Sequence, residues 1–216
     1  MKRTLLLVFV FSFLSFAAQA QSTLTVDDDG TADYTTIQAA INAASAGQTI
    51  DIADGTYTES LSITTDNLTL TGSSESGVIV NTNSSGYGVF IAADGVTLEQ
   101  MTINGPTDDA GSSYGIKAQG ESTLPAEDRM SGLTLRNLTV QGSGRTEVDL
   151  NGVDNAILED LTANGQNTAG NALSLTDSDN IQLTDVTSDG QNQWGGIALY
   201  AGNDDFEPGI ALVDIS

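Results

Sequence analysis

The sequence predicts an all-β solenoid: a ribbon wound into stacked coils and preceded by one short helix. Three observations predict it. Apolar and polar residues alternate from residue 49 onward, with no second helical pattern. The alternating segments recur with similar content at irregular spacing. A column of bend-tolerant residues occupies the same place in successive repeats.

The N-terminus comes first. Lys2 and Arg3 precede an apolar run, Leu5 to Phe16, and Ala18-Gln19-Ala20 follows. A charged start, a short apolar stretch and small residues two apart make a secretory signal peptide. We therefore expect residues 1–20 to be removed and 21–216 to form the β domain. The apolar run is shorter than the roughly 20 residues a bilayer span needs, so no membrane span is expected. The expected location is secreted, periplasmic or at the cell surface.

The helix is next. Ile37, Ala40, Ile41 and Ala44 fall at i, i+3, i+4 and i+7, one apolar stripe. Thr35 and Gln38 stand in capping-box positions, and Gly47 is a suitable stop.

The repeats follow. Asn67-Leu68-Thr69-Leu70 corresponds to Gly95-Val96-Thr97-Leu98, Gly132-Leu133-Thr134-Leu135, Asn155-Ala156-Ile157-Leu158, Asn180-Ile181-Gln182-Leu183 and Gly209-Ile210-Ala211-Leu212. Their first apolar residues lie 28, 37, 23, 25 and 29 residues apart, so the variation belongs to loops such as the polar stretch from Gly120 to Arg129. One coil cannot bury its inward side chains, whereas stacked coils merge them into one apolar column. Between the paired strands of each repeat lie Gly72, Gln100, Asn137, Asp160, Asp185 and Asp214. Most of these types tolerate the left-handed backbone of a sharp corner. A second strand follows in most repeats, as in Gly88-Val89-Phe90-Ile91, Gly115-Ile116-Lys117-Ala118 and Gly196-Ile197-Ala198-Leu199.

Composition narrows the chemistry. The chain has 29 acidic and 6 basic residues, no histidine and no cysteine, for a net charge of −23. Beyond the signal segment only Lys117, Arg129, Arg136 and Arg145 are basic. Nucleic acid is excluded as a partner, because phosphate binding needs clustered Lys or Arg. Imidazole and thiol catalysis, disulfides, and metal sites built on His or Cys are excluded as well.

One segment carries a family resemblance: Thr25-Val26-Asp27-Asp28-Asp29-Gly30, Asp33-Tyr34-Thr35-Thr36-Ile37-Gln38-Ala39-Ala40-Ile41 and Gly55-Thr56-Tyr57-Thr58-Glu59. It resembles the N-terminal cap and first coil of the pectin-lyase-like superfamily. The resemblance implies a right-handed parallel β-helix whose open end is plugged by the amphipathic helix. Gly55 to Glu59 is similar to the early G-x-Y-x-E of pectinesterases. Their later blocks, which supply an aspartate pair, glutamines and an arginine, have no counterpart here. Polygalacturonases need a histidine motif, which this chain lacks, and the arginine motif of calcium-dependent pectate lyases is not recognisable. No catalytic residue carries over.

Candidate binding residues come from the repeat register. Tyr87 and Tyr114 align, and Trp194 lies one place earlier in its own repeat. An outward aromatic row is a sugar platform, because flat rings cover the apolar face of a pyranose. Lys117 follows Ile116 and by alternation points outward, where it can meet a substrate carboxylate or lie solvated at the surface. Arg136 falls between Glu99 and Glu159, an expected structural ladder. Asp160, Asp185 and Asp214 stack at one corner, where like charges about 4.8 Å apart recruit a cation, with calcium the reasonable ion. The expected function is an exported module that engages extracellular polysaccharide. The alternatives are the N-terminal part of a polysaccharide lyase or related carbohydrate-active enzyme, and a structural adhesin or stalk. Ser216 falls inside a repeat, so further C-terminal coils or end-to-end self-association are expected.

Overall fold

The structure is a computed structural model that describes residues 23–82, 85–107, 113–120, 129–165, 170–190, 195–200 and 210–212. Parallel strands wind into about six stacked turns with three faces. The first face runs β1 (Leu24–Val26), β2 (Thr49–Ile52), β5 (Thr69–Gly72), β8 (Thr97–Asn104), β11 (Thr134–Gln141), β14 (Ile157–Gly165), β16 (Ile181–Gly190) and β18 (Ile210–Leu212). In the early coils the second face has its own strands, β3 (Gly55–Thr58) and β6 (Val78–Asn81), and β6 then pairs with the far half of β8. The third face is a six-stranded sheet of β4 (Leu61–Ile63), β7 (Tyr87–Ile91), β9 (Tyr114–Gln119), β12 (Thr146–Asn151), β15 (Asn171–Thr176) and β17 (Gly195–Tyr200). A short pair, β10 (Met130–Ser131) and β13 (Val153–Asp154), sits beside the return corner.

The bend-tolerant column explains why β8, β11, β14 and β16 cover two faces. Gln100, Asn137, Asp160 and Asp185 lie in mid-strand with φ of 58°, 50°, 48° and 51°, so each strand turns a corner on one left-handed residue. Gly72 holds the same level for another reason. Its φ is not positive, and a Cβ there would lie 1.9 Å from the Gln100 carbonyl oxygen. Asp214 lies outside the described residues.

A second left-handed column turns the third face into the first: Asn67, Gly95, Gly132, Asn155 and Asn180. The residues before them form a ladder of caps. Asp66 Oδ1 accepts from Asp94 N at 3.0 Å, Asp94 Oδ1 from Ser131 N at 2.8 Å, and Asp154 Oδ1 from Asp179 N at 3.0 Å. Each carboxylate thus satisfies a backbone donor of the next coil, which a corner would otherwise leave unpaired.

Inside, equivalent residues are direct neighbours. Leu70, Leu98, Leu135, Leu158 and Leu183 are paired in register, and all are fully buried. So are Leu68, Val96, Leu133, Ala156 and Ile181. Burying each large aliphatic side chain contributes roughly 1.5–3 kcal/mol, and stacking delivers this at every level.

Helix α1 (Ile37–Ala43) buries Ile37, Ala40 and Ile41 against the first coil. Its N-cap is Thr36 rather than Thr35: the Thr36 hydroxyl accepts from Ala39 N at 3.3 Å. Gln38 does not close a capping box. Glu59 does the equivalent work from the turn between β3 and β4, accepting from Ile37 N at 2.8 Å and Gln38 N at 2.9 Å. This frees the Gln38 amide to pair with β4. It accepts from Ser62 N at 2.7 Å and donates to Ser62 O at 3.2 Å, so a side chain substitutes for the missing neighbour at the sheet edge. No helix among the described residues is long and apolar enough to cross a membrane. The segment 1–20 lies outside them.

Candidate functional site

Alternation along the third face sends Ile116, Ala118, Val148, Leu150, Leu173 and Leu175 into the core. The intervening residues form an outward row in register: Phe90, Lys117, Asp149, Ser174 and Ala198. Lys117 therefore points outward as expected, but it is not a solvated surface lysine. It is only 7% exposed and forms an ion pair with Asp149, its neighbour one coil on. Its ammonium also lies 5.2 Å from the centre of the Tyr114 ring.

Tyr114 is the hub. Arg145, in the turn before β12, places its guanidinium carbon 5.5 Å from the same ring. That turn is pinned by its backbone: Gly144 N donates to Pro106 O at 2.7 Å and Arg145 N to Ser113 O at 2.9 Å. Burial pushes the Tyr114 phenol above its usual range, and the nearby charge of Asp149 adds to this, while Arg145 opposes it. Tyr114, Lys117, Arg145, Asp149, Asn171 and Tyr200 surround a cleft of about 280 Å³.

The aromatic row continues sideways. Tyr87 and Tyr114 are in register with ring centres 5.7 Å apart. The next residues of that row are Thr146, paired with Tyr114, and Asn171, paired with Gly195. Tyr87 instead stacks on Phe90, 5.2 Å away and tilted 28°. Trp194 lies outside the described residues. Tyr200, which the repeats did not single out, closes the cleft on the far side and accepts from Asn171 Nδ2 at 2.9 Å. It ends the outward column Gln119, Asn151, Thr176, Tyr200, so the register one residue past Leu199 would have located it.

Beneath the Arg145 turn lies Glu147, fully buried on the inward side. Burial pushes its carboxyl up to about 7, partly offset by bonds from Ser143. Both carboxylate oxygens accept from Ser143 N at 3.1 Å, and one accepts from the Ser143 hydroxyl. Sequence reading missed it, because its level holds Gly115 in one neighbouring coil and Ala172 in the other.

The remaining expected sites are surface features. Arg136 is in register with Glu99 and Glu159 and bonds to Glu99. Asp160 and Asp185 are exposed corner residues. Among the described residues no three acidic side chains gather around one point for a metal ion.

No protein-family model matches the chain, and no curated protein matches it. Solved structures do. A pectin methylesterase in complex with a hexasaccharide is 15% identical, with a TM-score of 0.53 over 80% of this chain and 69% of that one. Pectin methylesterase from carrot is 14% identical, with a TM-score of 0.54 over 89% and 63% of the two chains. The A-module of the Azotobacter vinelandii mannuronan C-5 epimerase AlgE6 is 16% identical, with a TM-score of 0.57 over 82% and 57%. At these identities the likeness is one of fold: the chain is a right-handed parallel β-helix, the fold it shares with these enzymes.

Proposed function

We propose that the protein is an exported β-helix module that binds an acidic polysaccharide on the outside of its third face. One observation carries this reading. In a chain of net charge −23, two of the four basic residues beyond the signal segment converge on one aromatic ring inside a cleft. A ring that covers the apolar face of a sugar, flanked by the Arg145 guanidinium and by the Lys117–Asp149 pair, sets two cations against one carboxylate, a balance that suits a pyranose bearing a carboxylate. The fold neighbours support it, since they include an enzyme seen with a bound hexasaccharide and an enzyme named for mannuronan.

Affinity electrophoresis through gels containing polygalacturonate, alginate or dextran tests the reading. Wild-type protein is expected to be retarded by at least one acidic polymer and much less by dextran. Arg145→Ala and Tyr114→Ala are each expected to weaken retardation by about tenfold or more, the loss of one charge-assisted or stacking contact. Migration unaffected by any acidic polymer overturns the proposal. Ultraviolet absorbance of unsaturated products from polygalacturonate or alginate would replace it with a lyase.

A further inference from the structure

The same groove continues into a second cleft of opposite character. This cleft, about 810 Å³, lies within the size range of ligand sites and is walled by Asp66, Tyr87, Phe90, Asp94, Met130 and Asn151 among others. Asn151 lines both clefts, and the Tyr87 ring packs on Tyr114 across their junction. An aromatic seam, Phe90 to Tyr87 to Tyr114, therefore runs from one to the other.

Charge divides the seam. Lys117, Arg145 and Asp149 line the Tyr114 end, two cations against one carboxylate. Asp66 and Asp94 line the Tyr87 end, and no Lys or Arg lines it among the described residues. The corner ladder fixes the two carboxylates, each through one oxygen: Asp66 accepts from Asp94 N and Asp94 from Ser131 N. Both side chains are exposed at the cleft wall. A sugar carboxylate entering there meets two like charges, whereas sugar hydroxyls meet acceptors. The open ring of Tyr87, 37% exposed, still offers the stacking surface.

Resting on the reading that this face binds an acidic polysaccharide, we infer that the preferred chain is mixed rather than a homopolyuronate. A uronate occupies the Tyr114 cleft, and a pyranose without a carboxylate occupies the Tyr87 cleft beside it. Asp66 and Asp94 are the residues that set this preference, by repulsion of the wrong sugar as much as by attraction of the right one.

Affinities for hyaluronan, which alternates a uronate with an uncharged sugar, and for polygalacturonate, a uronate throughout, test this at one fixed ionic strength. Wild-type protein is expected to bind hyaluronan about tenfold more tightly. Asp66→Asn and Asp94→Asn keep the acceptor oxygen of the corner ladder, so the coils stay intact. The double variant is expected to gain affinity for polygalacturonate and bring the ratio within about threefold. Each single variant gives a smaller change in the same direction, so the test survives if the double variant fails to fold. Equal wild-type affinity for the two polymers, unmoved by the variants, overturns this inference and leaves the polysaccharide reading standing. Binding of neither polymer, nor of alginate, overturns both.

Discussion

Inside the first face, one column carries the same residue at five neighbouring levels, Leu70, Leu98, Leu135, Leu158 and Leu183. Outside the third face, neighbouring levels carry Phe90, Lys117, Asp149, Ser174 and Ala198, five different types in register. An exterior row is not bound to be mixed: Thr102, Thr139, Thr162 and Thr187 line up on the outside of the second face. Where stacking alone decides the residue, each level presents the same shape and the column is uniform. The third face is aliphatic inside, with Ile91, Ala118, Leu150 and Leu175 in register, and chemically mixed outside, so something other than coil stacking selects its outer side chains.

Leu135→Ala is expected to have the largest effect on stability. It opens a void between two leucines in a fully buried column, at a cost of about 2–5 kcal/mol in urea unfolding. Ser174→Ala, on the outer row, is expected to cost less than about 1 kcal/mol. Equal losses would erase the distinction between the two columns.

Glu147 comes next, an inward position that breaks the uniformity. Its carboxyl titrates near 7 in the folded chain against an ordinary 4.5, mainly because burial disfavours the charged form. The folded chain therefore binds more protons than the unfolded chain between those values. The stability tied to this group is fully present below about pH 4.5 and lost as pH rises through about 7, a swing of about 3 kcal/mol. Glu147→Gln should match wild type at pH 4 and exceed it at pH 8 in denaturant unfolding. A wild-type advantage at pH 8 would show that the carboxylate is stabilised rather than penalised there.

The smallest effect belongs to Arg136→Ala. The Arg136 side chain is 43% exposed, and its bond to Glu99 should contribute at most about 1 kcal/mol. A larger loss in the unfolding midpoint would mean that the exterior ladders share in holding the coils together.

The same contrast explains what was legible in the sequence. The core column and the Gln100, Asn137, Asp160, Asp185 corner were readable because each level repeats the residue type or the backbone need. Failures came where a distant residue intervened. Thr36 rather than Thr35 caps the helix because Glu59, more than 20 residues on, supplies the other half of the cap. Alternation correctly sent Lys117 outward. It carried no sign that Asp149, 32 residues later, would pair with it. Arg145 and Glu147 belong to levels that do not repeat, so no column pointed to them, whereas Tyr200 lay within reach of the register one place past Leu199. The aspartates of the return corner were visible in principle, since Asp66, Asp94, Asp154 and Asp179 each precede a left-handed Asn or Gly.

Hydroxyl-radical footprinting of tyrosines with and without a saturating acidic polymer, read by mass spectrometry, locates the binding face directly. Tyr87, Tyr114 and Tyr200 should lose reactivity together while Tyr34, partly buried beside the N-terminal cap, keeps its own. Polymer-bound protein whose third-face tyrosines react as before, or whose protection falls on Tyr34 instead, would move the site off this face.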